Sequence, residues 1–343
     1  MYSYPILSYR VFFKTEVKTM SVLAQVFSSK VLRGHYADET PLIAFEYKGS
    51  PQEQKRLISM VNKIASFSET GKAVLQKAAD SGYSLSFAMQ SGSYGYADAE
   101  SKSLVLNPRF KDADLLNTLV HESRHAGQFE SGIEVRFGQL TLRSEIMSFR
   151  AMEADACATA TFSLLEAEKN GLKIKGGVRT GASAETKKLF NENADAKTVL
   201  QTAFDSWYAD RMTKESYEDG YIIQQMRDTL KKNKEADTPY DKPVASAQVI
   251  EQICTTPNGC YFDDKNALDD VRYLDISVGT KTVADRFFQI REMRTGMKPD
   301  DSYADLPVNR GFTFLHGNFH GVCYDKSQKK LPLILAQKQR QSR

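Results

Sequence analysis

The sequence lacks a long apolar run and carries little net charge. No stretch of 18 consecutive apolar residues occurs in its 343 residues, so no segment is predicted to span a membrane. The formal net charge is only +3 at pH 7, which is too small for the basic surface that nucleic-acid-binding proteins present. We therefore expect neither a membrane span nor a nucleic acid among the partners of this chain.

Cysteine is also scarce, with four residues in the chain. The N-terminus lacks the basic start, clean apolar stretch and small-residue cleavage site that together mark a secretory signal. Four cysteines without such a signal favour reduced thiols. The turn sequence between Cys254 and Cys260 would still let that pair meet, and zinc binding by the pair stays open. These features predict a cytoplasmic protein.

The most informative stretch is HESRH at residues 121–125, a match to H-E-x-x-H. Residues four apart lie on one face of a helix, so His121 and His125 can offer two imidazole nitrogens to one zinc ion. Glu122 lies about 100° further round the helix, where it could act as a general base. The alternative is an accidental, structural pair of histidines, which predicts no stoichiometric metal.

A helix is predicted around this motif, over residues 112–129. The stretch has no Pro or Gly before Gly127, and it begins with acidic residues that suit a first turn. Its leucines fall on an apolar stripe, apart from the polar face that carries the histidines. Arg124, inside the motif, either faces solvent, forms an ion pair, or anchors a carboxylate of the substrate.

A second long helix, predicted over residues 139–170, supplies candidates for a third zinc ligand. Its segment RAMEADACA sets Glu153 and Asp155 among small residues, which would let these carboxylates approach another helix and a metal. Glu153 is the first choice and Glu145 the second, while Asp155 could instead hold one histidine by its far nitrogen. The acids could otherwise belong to a solvated helix face.

A strand ending in SLVLNP, a helix carrying TLVHESRHAGQ and a second helix carrying RAMEADACA follow one another in an order that resembles the zincin metallopeptidases. A third ligand on the following helix resembles the gluzincin arrangement, and the chain is similar to a family of uncharacterised bacterial metallopeptidases. The resemblance implies His121, His125 and Glu153 as Zn²⁺ ligands, Glu122 as general base, and a peptide or protein substrate. Cys157 stands where some gluzincins keep an aspartate.

The fold expected is α+β and mostly helical, zincin-like, with a small β-sheet packed on the HESRH helix. Helices are predicted at residues 51–67 and 68–82, followed by short strands. Among these strands, residues 103–107 are the candidate edge strand, to which a peptide substrate could add by backbone pairing. The run of glycine, serine and tyrosine at residues 92–96 is interpreted as a hairpin turn.

The chain is predicted to have three regions. Residues 1–50 form an N-terminal extension, residues 51–233 a zincin-like metallopeptidase domain, and residues 234–343 a C-terminal region of unassigned role. A Gly-rich loop is predicted to follow Asn170. The predicted function is zinc-dependent hydrolysis of peptide bonds, and the alternative is a non-catalytic metal-binding or interaction protein on a zincin-like scaffold.

The three histidines outside the motif carry weaker signals. His316 and His320 are four residues apart, yet Gly317 and Gly321 argue against a helix there. A second metal site, or one histidine placed to stabilise an oxyanion, is the alternative to a structural role. His35 is predicted to be a surface residue.

Overall fold

The computed structural model describes residues 36–132, 138–174, 183–232, 240–257, 259–313 and 320–323. These residues are mostly helical with small sheets, which confirms the prediction of an α+β fold. The helices are α1 (Pro51–Phe67), α2 (Glu69–Asp80), α3 (Asp112–Phe129), α4 (Leu142–Lys169), α5 (Ala184–Asn191), α6 (Ala196–Ala209), α7 (Arg211–Glu218), α8 (Gln224–Lys232), α9 (Ser246–Ile253), α10 (Val271–Leu274) and α11 (Val278–Thr295). The strands are β1 (Glu46–Tyr47), β2 (Ser84–Phe87), β3 (Gly95–Asp98), β4 (Ser103–Leu106), β5 (Thr255–Thr256), β6 (Gly259–Cys260), β7 (Ile276–Ser277), β8 (Val308–Thr313) and β9 (His320–Cys323).

Local signals in the sequence fix the start of the first two helices. Ser50 and Glu53 form a capping box at the N-terminus of α1, and Pro51 occupies its first turn, where a missing N–H costs nothing. Ser68 caps α2, and its hydroxyl also donates to the Glu166 carboxylate of α4 at 2.7 Å. The predicted helices at residues 51–67 and 68–82 are confirmed, and the second is tied to α4 from its first residue.

The main sheet has the strand order β1-β2-β4-β3, with β3 antiparallel to β4. The prediction that residues 103–107 form the edge strand is therefore wrong, because β4 lies inside the sheet and β3 lies at its edge. The start of β3 was assigned to a hairpin turn at residues 92–96, because Gly95 resembles a turn residue. A Cβ at Gly95 would lie 2.7 Å from the Val105 carbonyl oxygen and 2.9 Å from the Thr118 side chain, so close packing against β4 and α3 requires glycine there.

Helices α3 and α4 connect two hydrophobic cores. The first core lies between the sheet and helices α1 to α3, and α4 contributes Ala160 and Leu164 to it. The second core takes residues from most of the length of α4 and includes Trp207 of α6 and Phe287 of α11. Phe129, in the last turn of α3, packs against both cores. The HESRH motif thus lies on a helix that is held from several sides.

The described C-terminal residues pack on α4 rather than apart from it. Helix α9, which the sequence analysis missed, places Val249, Ile250 and Ile253 in the second core. The division into residues 1–50, 51–233 and 234–343 stays a prediction. His35, His316 and residues 175–182 of the predicted Gly-rich loop fall outside the described residues, and the last three residues of that predicted loop, 184–186, begin α5. Within the part of the chain that the structure describes, every helix is too short or too polar to cross a membrane.

Candidate metal centre

The histidine pair and one carboxylate converge between α3 and α4. His121 and His125 are one turn apart on α3, and their Nε2 atoms are 2.9 Å from each other. Glu153 comes from α4 and lies 3.5 Å from each of these nitrogens, with Oε2 toward His121 and Oε1 toward His125. All three side chains are buried. This is the one group of potential metal ligands found among the described residues.

Two of the three spacings between the donor atoms fit a tetrahedral ion. Bonds of about 2.0–2.2 Å place the ligand atoms of such an ion roughly 3.3–3.6 Å apart. Both separations between a histidine nitrogen and a Glu153 oxygen, at 3.5 Å, fall in that range. The two Nε2 atoms at 2.9 Å are closer, and they face each other in a buried site. A shared cation, or a hydrogen carried by one of the two nitrogens, would compensate such an arrangement.

Gln128 fixes the tautomer of His125. The amide Nε2 of Gln128 donates to the Met152 carbonyl oxygen at 3.0 Å and to Asp155 Oδ2 at 2.7 Å, so its Oε1 must be the atom that faces the ring. His125 Nδ1 therefore carries the hydrogen and donates to Gln128 Oε1 at 2.6 Å. The remaining nitrogen, Nε2, presents a lone pair toward His121 and Glu153, as a metal ligand requires.

Burial keeps both imidazoles neutral. It lowers the pKa of His121 to about 4, against the opposing effect of the Asp155 charge. It lowers the pKa of His125 to about 4 as well, although the Glu153 charge acts in the other direction. Neutral imidazole is the form that binds metals, so the site is prepared for a cation throughout the neutral range.

Asp155 does not touch a histidine directly, although the sequence analysis offered that contact as one alternative. Gln128 lies between them, and Asp155 is instead surrounded by donors. Arg124 Nε donates to its Oδ2 at 2.5 Å, Arg124 Nη2 to its Oδ1 at 3.1 Å, and the Tyr261 hydroxyl to its Oδ1 at 2.9 Å. We call Arg124, Gln128, Asp155 and Tyr261 the Asp155 network. It links α3, α4 and the segment after β6.

Arg124 is paired within the protein rather than turned to solvent or to a substrate. Besides Asp155, its Nη2 donates to the backbone carbonyl oxygens of Ile253 at 2.6 Å and Thr255 at 2.7 Å. These carbonyls lie at the end of α9 and the start of β5, far along the chain from the motif. The C-terminal segment thus helps to hold the helix that carries the histidines.

Glu122 lies beside the three converging groups, next to the edge strand. The side chain is 2% exposed, and the Ala97 backbone N–H of β3 donates to its carboxylate. Its Oε1 has no hydrogen-bond partner among the described residues. Burial, followed by the charge of Glu153, raises the pKa of Glu122 well above its ordinary value. A carboxyl group with a raised pKa is suited to accept and return a proton near neutral pH.

Two residues near the centre, Cys157 and Tyr217, were not assigned a role from the sequence. Cys157, one turn after Glu153 on α4, lies with its Sγ 3.6 Å from His121 Nδ1, where it contacts the far nitrogen of that ring. Tyr217 of α7 lies near the Glu153 carboxylate, and burial with the Glu153 charge raises the pKa of the phenol. A five-residue π-helix begins two residues after Tyr217, and such turns are frequent at functional sites. No spacing in the sequence links α7 to the motif.

The other sequence candidates lie elsewhere. The Glu145 carboxylate accepts from the Gly138 backbone N–H at 3.4 Å and does not join the histidine pair. Cys254 and Cys260 are free thiols, as the cysteine count favoured. For His320 the structure describes the backbone, which is extended in β9 rather than helical.

Comparison with known protein families gives a match over most of the chain. The model of the Putative metallopeptidase family (DUF6782) matches residues 36–263 of the chain. No curated protein and no solved structure matches it. The matched residues include α3, α4 and the whole Asp155 network, since that network ends at Tyr261.

Proposed function

The chain belongs to the Putative metallopeptidase family (DUF6782), and from that premise we propose that it is a zinc-dependent peptidase with a zincin-like, gluzincin-type centre. His121, His125 and Glu153 would hold the ion, and Glu122 would serve as general base. The proposed substrates are peptides or proteins. The observation that carries the proposal is the convergence of the three donor atoms, with the His125 tautomer set by Gln128.

The chemistry divides between the ion and the chain. When bound, zinc would polarise the scissile carbonyl group and lower the pKa of a bound water toward about 7. Glu122 would take a proton from the attacking water and deliver it to the leaving amine. The burial that raises the pKa of Glu122 supports this role, because the carboxyl must hold the proton between the two transfers.

The edge strand offers a place for the substrate backbone. Strand β3 is antiparallel to its neighbour, and its other side is not paired with a strand among the described residues. The Ala97 N–H on this strand already reaches Glu122, so a peptide lying along β3 would bring its scissile bond close to the base.

The first test is the metal content of protein purified without added metal. We expect about one zinc per chain, lost in His125→Ala because one nitrogen ligand is removed. Glu122→Gln should keep the zinc and lose hydrolysis of a peptide library, with activity at least about a hundredfold lower. A wild type that stays metal-free after reconstitution, or a fully active Glu122→Gln variant, would end the proposal.

A second candidate function is a non-catalytic metal site on the same scaffold. It is favoured by the burial of the centre, because His121, Glu122, His125 and Glu153 are 4%, 2%, 1% and 0% exposed. Structural zinc sites are closed, whereas catalytic ones keep a position open to water. Zinc without hydrolysis of any peptide, in wild type and Glu122→Gln alike, would select this function over the first.

A further inference from the structure

A cavity of about 320 Å³ lies behind α3, between α2, α4, α6 and the residues around β5. The cavity is lined by different faces of α3 and α4 from those that carry the metal ligands. At about 100° per residue, Ser123 lies roughly 200° around α3 from His121, and Gly127 lies the same angle from His125. On α4, Thr159 lines the cavity and is about 240° from Glu153 by the same rule. The cavity and the metal centre are thus on opposite sides of the helix pair.

The polar part of the cavity wall is cationic and rich in donors. Lys77 and Arg124 line it, although the charge of Arg124 is paired with Asp155, and none of its lining residues is acidic. Lys77 forms no ion pair with the described residues. Arg124 uses Nε and Nη2 for its hydrogen bonds and leaves Nη1 without a partner among those residues. Ser123 is 1% exposed, and its buried hydroxyl has no hydrogen-bond partner in the described part of the chain.

The rest of the wall is apolar or carries threonine. Val74, Leu200 and Pro257 provide aliphatic surface, and the volume lies at the lower end of the range for small-molecule sites. The cavity wall has cationic donors in one part and aliphatic surface in another. This combination matches a ligand that has one anionic group and a short apolar body. A bare inorganic ion would leave the aliphatic wall unused.

Gly127 keeps this cavity open. A glycine inside a helix costs about 0.5–1 kcal/mol relative to alanine. A Cβ at Gly127 would meet only the Lys77 side chain, at 3.6 Å, which is ordinary van der Waals contact. The fold therefore has room for a side chain at this position, and a larger one would enter the space beside Lys77.

We propose that this cavity is a binding site for small carboxylates with a compact aliphatic group. The carboxylate is bound by Lys77 and by the unused Nη1 of Arg124, with Ser123 as an added donor, and the aliphatic group contacts Val74 and Leu200. The site is distinct from the proposed catalytic centre and does not depend on peptidase activity.

N-acetyl-leucine is the probe, and its amide N-acetyl-leucinamide is the neutral match. We expect saturable binding of the acid by isothermal titration or ligand-observed NMR, and about tenfold weaker binding of the amide, because charge-assisted hydrogen bonds are lost. An acetylated tripeptide that ends in leucine distinguishes two possible ligands with this carboxylate, a small free acid and the C-terminus of a peptide. Equal binding of the tripeptide would identify a peptide C-terminus as the ligand, and loss of its binding would identify a free acid.

Two variants localise the binding. Lys77→Gln should weaken binding of the acid about tenfold, and Gly127→Leu should abolish it by filling the space. Lys72→Gln on the same helix α2 is the control, since Lys72 is exposed and does not line the cavity. A melting temperature for each variant shows whether it is folded. Equal binding by wild type, Lys77→Gln and Gly127→Leu, or equal binding of acid and amide by the wild type, would overturn the proposal.

Discussion

Two groups of polar residues lie side by side on α3 and α4, and they are built in opposite ways. In the Asp155 network each hydrogen bond joins a donor to an acceptor, and the buried carboxylate receives hydrogen bonds from Arg124, Gln128 and Tyr261. In the metal centre, two imidazole nitrogens lie 2.9 Å apart and a carboxylate lies 3.5 Å from each, so three potential metal ligands crowd one buried site. The first group pairs a buried carboxylate with donors of the protein, whereas the second gathers three side chains that could hold a cation.

The largest loss of stability expected from this comparison is at Asp155. Asp155→Asn leaves the Arg124 charge without its partner, so we expect the free energy of unfolding to fall by about 3 kcal/mol, the lower end for a broken buried pair. Glu153→Gln, two residues away, should not destabilise the metal-free protein, because it removes a carboxylate from a site crowded with acceptors. Urea denaturation in the presence of a chelator measures both. An equal loss of stability in the two variants would break the comparison.

A third buried carboxylate on α4, Glu145, tests the effect of burial without a metal. Burial raises its pKa from 4.5 to about 8, so the folded protein holds a proton that the unfolded chain releases above about pH 4.5. The stability from this group is full below pH 4.5 and is lost as pH rises toward 8. We expect Glu145→Gln, which mimics the protonated form, to be more stable than wild type by about 2–4 kcal/mol at pH 8 and similar to it at pH 4.5.

Denaturation between pH 4.5 and 8 gives the slope of stability for Glu145→Gln and for the wild type. The same substitution at exposed Glu100 serves as the control. A Glu145→Gln variant with the wild-type slope would show that this carboxyl is ionised in the folded protein.

Gln128 joins the two groups, and its replacement should separate their effects. Gln128→Met keeps the length of the side chain but removes the acceptor for His125 Nδ1, so the tautomer is no longer fixed. We expect zinc affinity to fall about 10–100-fold, as for other residues that orient a metal ligand. Competition with a chromophoric chelator measures this, and unchanged affinity would mean that the histidine is oriented without Gln128.

The smallest effect expected is at Tyr217, and it concerns the proposed catalysis. Tyr217→Phe removes a hydroxyl that lies near Glu153 and should leave the zinc content unchanged. We expect kcat to fall about tenfold, a loss typical of one hydrogen bond to a charged group. Retention of zinc together with wild-type kcat would restrict Tyr217 to packing against Trp207, whose ring centroid is 5.7 Å away.

Features that depend on neighbouring residues of one helix could be predicted from the sequence. The spacing of His121 and His125 on one helix is set by the helix itself, and residues 112–129 are helical as predicted. The small residues around Glu153 correctly indicated a face that lies against another helix. Gln128, in the turn after His125, was visible in the same stretch and was not assigned a role.

The failures concern contacts between distant parts of the chain. Arg124 and Asp155 are 31 residues apart, and Arg124 and Thr255 are 131 apart, so no periodicity links them. Strand β3 was missed because Gly95 has the appearance of a turn residue. Glycine is needed at this position because the Thr118 side chain packs against it. Only the tertiary structure brings such residues together.

The burial of Glu122, at 2% exposure, has a consequence for kinetics under the proposed function. A peptide can reach this carboxylate only when the protein atoms that cover it have moved aside. Substrates would therefore bind a minor, open conformation of the protein. The apparent dissociation constant is the intrinsic one divided by the fraction of competent molecules; with about one molecule in a hundred open, binding weakens about a hundredfold. Slow turnover at low substrate concentration would then report how rarely the enzyme opens, rather than how well its residues perform the chemistry.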